Sequence, residues 1–305
     1  MLELPDRGFY RSINVHNSNT TIVCDWVEAS VLFNEGRLSK SEIVDALTDL
    51  EIYTSSDFAF GYTELLFNEL NSRWKGMPLS YPFSRENNVF KAIGTWEDFL
   101  EYSFCLIISL LPQYKAWKEE VDPDYFQQGD LFEAITAFRL EKILPEWQVE
   151  RYGWTRDHAT PLRDLMQDLA GLLCERCGDV NHWGGERAND AGLDVLCVKT
   201  FPDERVGFFS LLIQCASGAN WKSKLRDPNL NIWRNFIQFA FDPCKAVSIP
   251  YALDRATYRK SVKYSGGLLF DRLRLFSKKL EPIDNAVARK IKLWLQPAVD
   301  SCPFM

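Results

Sequence analysis

Histidine is scarce in this chain: three in 305 residues, at positions 16, 158 and 182. Numbers so small and spacings so wide argue against a Ser-His-Asp or Cys-His catalytic arrangement. Cysteine is thin as well. Eight are too few for a disulfide scaffold and fit a reducing, cytoplasmic compartment. Long apolar runs are missing: the best stretch, 104–111, is interrupted by Ser109 and is far short of the about 20 residues that a bilayer span needs. No membrane association is therefore expected. The opening Met1-Leu-Glu-Leu-Pro-Asp6 lacks the basic and apolar segments of a signal peptide. There is no internal repeat and no low-complexity tract. Neither Gly184-Gly185 nor Gly266-Gly267 is followed by the lysine and hydroxyl of a phosphate-cradling loop.

What is present is the composition of a folded globular protein, 46% hydrophobic and 25% charged, long enough for about two domains. The net charge of −7 hides a gradient. Residues 1–125 carry 10 basic and 20 acidic side chains, whereas residues 250–305 carry 11 basic and 5 acidic. The acidic part could dock a protein partner. The basic part could neutralise several phosphates, although Arg255, Arg259, Lys260 and Lys263 also read simply as the wet face of a helix.

Patterning divides the chain near Val121-Asp-Pro-Asp124. Residues 1–125 read as a helix-rich acidic region, with a capping box at Ser39-Lys-Ser-Glu42 and a helix from Trp96 to Leu111. Residues 126–305 read as α/β (α+β): a mixed β-sheet flanked by helices and ending in basic C-terminal helices. In that region helices are expected over about 130–144, 162–177, 229–241, 267–280 and 284–295. Strands are expected over 147–153, 193–201, 206–216 and 245–251. The strands 193–201 and 206–216 are joined by the short polar Pro202–Val206 and form an antiparallel hairpin most simply. A strand, helix, strand order from there implies a parallel crossover.

The hairpin holds the informative residues. Asp194 interrupts an apolar strand, and a charge there is costly unless paired or bound to a cation. Pairing Pro202 with Val206 sets a register in which Asp194 stands directly opposite Gln214. A carboxylate and an amide oxygen so placed can share one hard cation. A one-residue slip would put them on opposite faces.

At these residues the chain resembles the PD-(D/E)XK, restriction-endonuclease-like superfamily, and within it the Mrr-like branches. Gly192-Leu-Asp-Val195 is similar to that family's Gly-x-Asp strand, and Ile213-Gln-Cys-Ala216 to its Gln-x-Lys strand, with Ala216 in the lysine position. Gly129-Asp-Leu-Phe-Glu133 resembles the start of its first helix. The resemblance covers about residues 128–252. It implies a Mg²⁺ (or Mn²⁺)-dependent endonuclease acting on nucleic acid, DNA first, with a bacterial anti-phage defence role by family association. Asp194, Gln214, the main-chain carbonyl of Cys215 and Glu133 would hold the metal, and Lys222 or Lys224 would replace the missing lysine. Glu175 is the other candidate for the third acid. The competing reading is a degenerate nuclease-like scaffold that binds nucleic acid or a partner protein without cutting. A zinc site at Cys174-x-x-Cys177 with His182 lacks a second pair of ligands. Asp271-Arg272 reads as a helix-surface pair.

Overall fold

The computed structural model describes residues 1–7, 19–53, 55–152, 162–178 and 192–305. All three histidines lie outside them, as does residue 54. The chain folds into two compact units. Unit 1 comprises residues 1–124, 250–254 and 272–305, and unit 2 comprises 125–249 and 255–271.

Unit 1 opens with α1 (Thr20–Ser30), capped by Asn19, whose side chain accepts the Thr21 and Ile22 N–H groups. Then come β1 (Arg37–Ser39), α2 (Lys40–Asp49) and α3 (Ser56–Gly76). The expected capping box is formed: Ser39 accepts the Glu42 N–H, and Glu42 accepts the Ser39 N–H at 2.7 Å. A tight hairpin of β2 (Phe83–Glu86) and β3 (Val89–Ala92) pairs with β1 in an antiparallel sheet ordered β1-β3-β2. The segment beginning at Trp96 enters as turns, and regular helix α4 runs over Leu100–Leu110, nearly all of it buried. Helix α5 (Lys115–Val121) ends this part.

Unit 2 begins with α6 (Tyr125–Ile143), then β4 (Gln148–Arg151), α7 (Leu162–Leu172) and β5 (Arg176–Cys177). The hairpin strands are β6 (Val195–Lys199) and β7 (Phe209–Cys215). They are followed by α8 (Leu230–Phe236), β8 (Ile237–Gln238), β9 (Cys244–Ser248), α9 (Arg255–Ser265) and β10 (Leu268–Phe270). Five strands form a mixed sheet ordered β10-β9-β7-β6-β4. β4, β6 and β7 are antiparallel neighbours, and β7, β9 and β10 run parallel. One face is sealed by α7 and α8, with Leu165, Leu169, Leu196, Leu212 and Trp233 in one apolar cluster. Burial on both faces accounts for the unbroken run Leu211-Leu-Ile213 in the central strand. The mixed sheet with flanking helices matches the expected class.

Four expectations change. The helix expected over 162–177 ends at Leu172, and Arg176–Cys177 form β5 instead. The chain from 267 to 280 is not one helix: β10 takes Leu268–Phe270, and a short α10 covers Arg272–Leu275. Gly267 packs against the Lys245 backbone so closely that a β-carbon would lie 2.2 Å from its carbonyl oxygen, a contact made by a strand beside β9. The helix expected over 229–241 stops at Phe236, where Ile237 turns extended and pairs with Cys177. Residues 272–305, grouped by sequence with the nuclease-like region, belong to unit 1, where α11 (Asn285–Asp300) packs on α4 and the chain end pairs with its start through Leu2 and Phe304.

Unit 1 also holds a cluster of four charged side chains that are almost completely buried. Asp25 and Glu28 of α1 meet Arg73 of α3 and Arg272, with Arg73 Nη1 2.6 Å from Asp25 and 2.9 Å from Glu28. Arg272 Nη2 donates to both Asp25 oxygens at 2.8 Å. The Tyr81 and Tyr102 hydroxyls donate to Glu28 at 2.6 and 2.8 Å, and Ser109 donates to Asp25. Burial alone would raise the Asp25 carboxyl, but Arg272 and Arg73 outweigh it and hold it below the ordinary carboxylate range. Asp271 and Arg272 are both buried, so the expected position on a helix surface is not found.

Candidate functional site

The β6–β7 ladder pairs Val195 with Ile213 and Leu196 with Leu212. Extended by one step, this register sets Asp194 against Gln214, as the turn geometry predicts. The two side chains are in direct contact: Gln214 Nε2 donates to Asp194 Oδ2. The same Asp194 oxygen accepts the Cys215 N–H at 2.6 Å, and Gln214 Nε2 also lies 3.2 Å from the Cys215 carbonyl oxygen. Asp194 O accepts the Tyr152 N–H at 2.8 Å, and its own N–H donates to the Ile213 carbonyl at 2.9 Å. The backbone is therefore anchored on both sides. Asp194 and Gln214 are both buried, 4% and 8% exposed.

Gly192 makes the approach possible. Its φ of +74° is in the left-handed region. A β-carbon there would lie 3.0 Å from Gln214 Oε1 and 3.0 Å from Asp227 Cβ. Asp227 thus packs against Gly192, as Gln214 does. It is an acid that sequence reasoning missed, because the turn over Trp221–Arg226 that delivers it carries no motif. Lys245 was missed for a similar reason. It pairs with Leu212 while Val247 pairs with Gln214, so Lys245 shares the Gln214 face of the sheet. Burial pulls its ammonium below the ordinary lysine value, and the charge of Asp227 works against that fall.

Glu133 is placed by α6. One turn before it, Gln128 Nε2 donates to the Ser217 carbonyl at 3.1 Å; one turn after it, the Thr136 and Ser248 hydroxyls are 2.9 Å apart. These contacts tie the helix to the chain at the ends of β7 and β9. Glu133 is 8% exposed and 3.7 Å from Arg151, which itself pairs with Asp130 at 2.7 Å. Burial, then the charges of Asp194 and Glu133, push the Cys215 thiol well above its ordinary value. The thiol is therefore protonated and inert at neutral pH. The residue can offer only its carbonyl.

Lys222 and Lys224 project from the turn after β7 and are exposed; Lys222 Nζ lies 5.7 Å from the centre of the Trp221 ring. Among the described residues neither ammonium forms an ion pair. Ala216 is buried and brings no charge. Glu175 is engaged elsewhere, accepting the Ala240 N–H at 3.0 Å. Cys174 is half-buried, and Cys177 donates to the Met166 carbonyl.

Among the described residues no three His, Cys, Asp or Glu side chains group as metal ligands. The donors that do converge are of another kind. Asp194 Oδ2 and the Cys215 carbonyl oxygen both point at the place taken by the Gln214 NH₂ group, and rotating that amide would add its own oxygen. Hard oxygen donors of this type suit Mg²⁺ or Mn²⁺ and not zinc. The chain matches no protein-family model, no curated protein and no solved structure. No described helix is long and apolar enough to cross a membrane.

Proposed function

We propose that unit 2 is a Mg²⁺-dependent nuclease core of the PD-(D/E)XK kind, acting on DNA. The observation that carries this reading is the convergence of the Asp194 carboxylate and the Cys215 carbonyl on one point beside the Gln214 amide. The order α6-β4-β6-β7-α8-β9, three antiparallel strands followed by a parallel crossover, supports it. In this reading Asp194, Gln214 and the Cys215 carbonyl hold the cation, and Glu133 on α6 is the further acid. When bound, Mg²⁺ lowers the pKa of a coordinated water and neutralises charge developing on the scissile phosphate. Gln214 contributes an oxygen by turning its amide, and Gly192 leaves room for that turn. Lys245 takes the role of the ammonium missing at 216, held on the same face and balanced by Asp227.

DNA has a basic surface to meet within unit 2. Arg255, Arg259, Lys260 and Lys263 are exposed along α9, which packs on the turn that carries Lys222, Lys224 and Arg226. Arg226 lies over the Tyr264 ring at 4.8 Å and joins the two elements. Phosphates are the expected ligands of this face.

Supercoiled plasmid with Mg²⁺ or Mn²⁺ should be nicked by the wild type and not by Asp194→Asn, with the two proteins giving the same circular dichroism. Equal cleavage by the variant would refute the assignment. Buried Ala216 favours a second reading, a scaffold that binds nucleic acid without cutting it. In that case calorimetry would detect no Mn²⁺ binding that depends on Asp194.

A further inference from the structure

Unit 1 contains a cavity of about 300 Å³ between α3 and the β2–β3 hairpin, remote in composition from the chemistry of unit 2. Its floor is aromatic. Phe83 and Phe90 stack with ring centres 4.8 Å apart, and Tyr81 meets the Phe83 ring edge-on at 5.1 Å. Tyr81 is held in place by its hydroxyl, which donates to buried Glu28 at 2.6 Å. Trp74, 48% exposed, forms one side.

The polar groups are few: Asn71 from α3, and Ser84 and Arg85 from β2. Asn71 and Ser84 line the cavity, and neither donates nor accepts a side-chain hydrogen bond with a described residue. Arg85 completes the rim. Its Nε donates to the Asn87 carbonyl at 2.9 Å, and its guanidinium carbon stands 5.2 Å from the Phe67 ring centre. Among the described side chains no carboxylate lies within ion-pair distance of it.

We infer that this cavity binds a nucleoside 5′-monophosphate, the base against the aromatic floor and Trp74, the phosphate on Arg85. Charge complementarity selects the ligand class. A planar ring alone would leave the guanidinium without an anion, and a phosphate alone would leave the exposed Trp74 ring uncovered, since Tyr81, Phe83 and Phe90 are themselves buried. Asn71 and Ser84 supply the donor and acceptor groups that a base edge presents in return. The size is at the lower limit for small-ligand sites, which excludes larger dinucleotide cofactors.

The inference does not rest on the nuclease reading. Calorimetric titration of the full chain without divalent metal, using the 5′-monophosphates of adenosine, guanosine, cytidine and uridine, tests it. Adenosine and ribose 5-phosphate serve as half-ligands. At least one monophosphate should bind more tightly than both. Arg85→Ala, at an exposed position, should weaken the monophosphate by about tenfold or more while leaving adenosine nearly unchanged. Trp74→Leu should weaken both. Asp194→Asn should change neither. The inference is overturned if no monophosphate titrates at millimolar concentration, if Arg85→Ala binds it as well as the wild type, if only oligonucleotides bind, or if Asp194→Asn loses the binding.

Discussion

At position 192 the backbone, a neighbouring acid and the candidate site all constrain one residue. Alanine there would meet both a left-handed φ and two close approaches at 3.0 Å, so Gly192→Ala should cost about 1–3 kcal/mol of stability, read as a lower denaturant midpoint with an unchanged slope. It should also displace Gln214, so the variant is expected to lose metal affinity beyond its loss of stability. Lys245 offers a sharper contrast. If its ammonium serves the site, Lys245→Met should reduce cleavage by about 10²-fold or more, whereas Lys222→Met with Lys224→Met should mainly weaken DNA binding. Plasmid nicking at saturating DNA separates these outcomes. The pairing of Asp194 with Gln214 was legible in the sequence because a short polar connection fixes hairpin register and a polar residue in an apolar strand stands out. Asp227 and Lys245 were not. Their approach depends on a turn and on a parallel neighbour, neither of which periodicity encodes.

Among the elements, α1 and α3 face each other through charges. Removing one member of a buried ionic group leaves the others uncompensated. Arg272→Ala is therefore expected to destabilise unit 1 by about 3–5 kcal/mol at neutral pH. The pH dependence follows from Asp25, whose folded-state carboxyl is held below the ordinary 3.8. A depressed acid contributes stability that is fully present above the unfolded value and lost as the pH falls through the folded one. The gap between wild type and Arg272→Ala should accordingly be smaller at pH 3 than at pH 7 in urea titrations. This network was invisible in the sequence, since Asp25 and Arg272 are 247 positions apart and an Asp-Arg dipeptide is ordinarily wet. For α9 the solvated face expected from its charges is found. If that face meets DNA, replacing Arg259 and Lys263 with glutamine should lower the slope of log affinity against log salt by about 0.9 for each phosphate that is no longer neutralised.

On the scale of the whole molecule, the seam before residue 125 was readable because Pro123 and a change in acidity mark it. The return of the chain to unit 1 was not, because residues 272–305 keep the basic composition of α9 and nothing local signals which core they join. Unit 1 is thus assembled from pieces far apart in sequence. A fragment ending at 124 lacks Arg272 and α11 and should fail to give a cooperative thermal transition. The full chain should give one, and differential scanning calorimetry compares them directly.

That arrangement also has a consequence for order in time. During synthesis, every residue of unit 2 has been added before α11 is begun. Asp25 and Glu28 must wait through some two hundred and fifty further residues for their second arginine. The first unit to be started is therefore the last to be completed, and the five-stranded sheet has its full complement of strands while unit 1 is still open to chaperones and proteases.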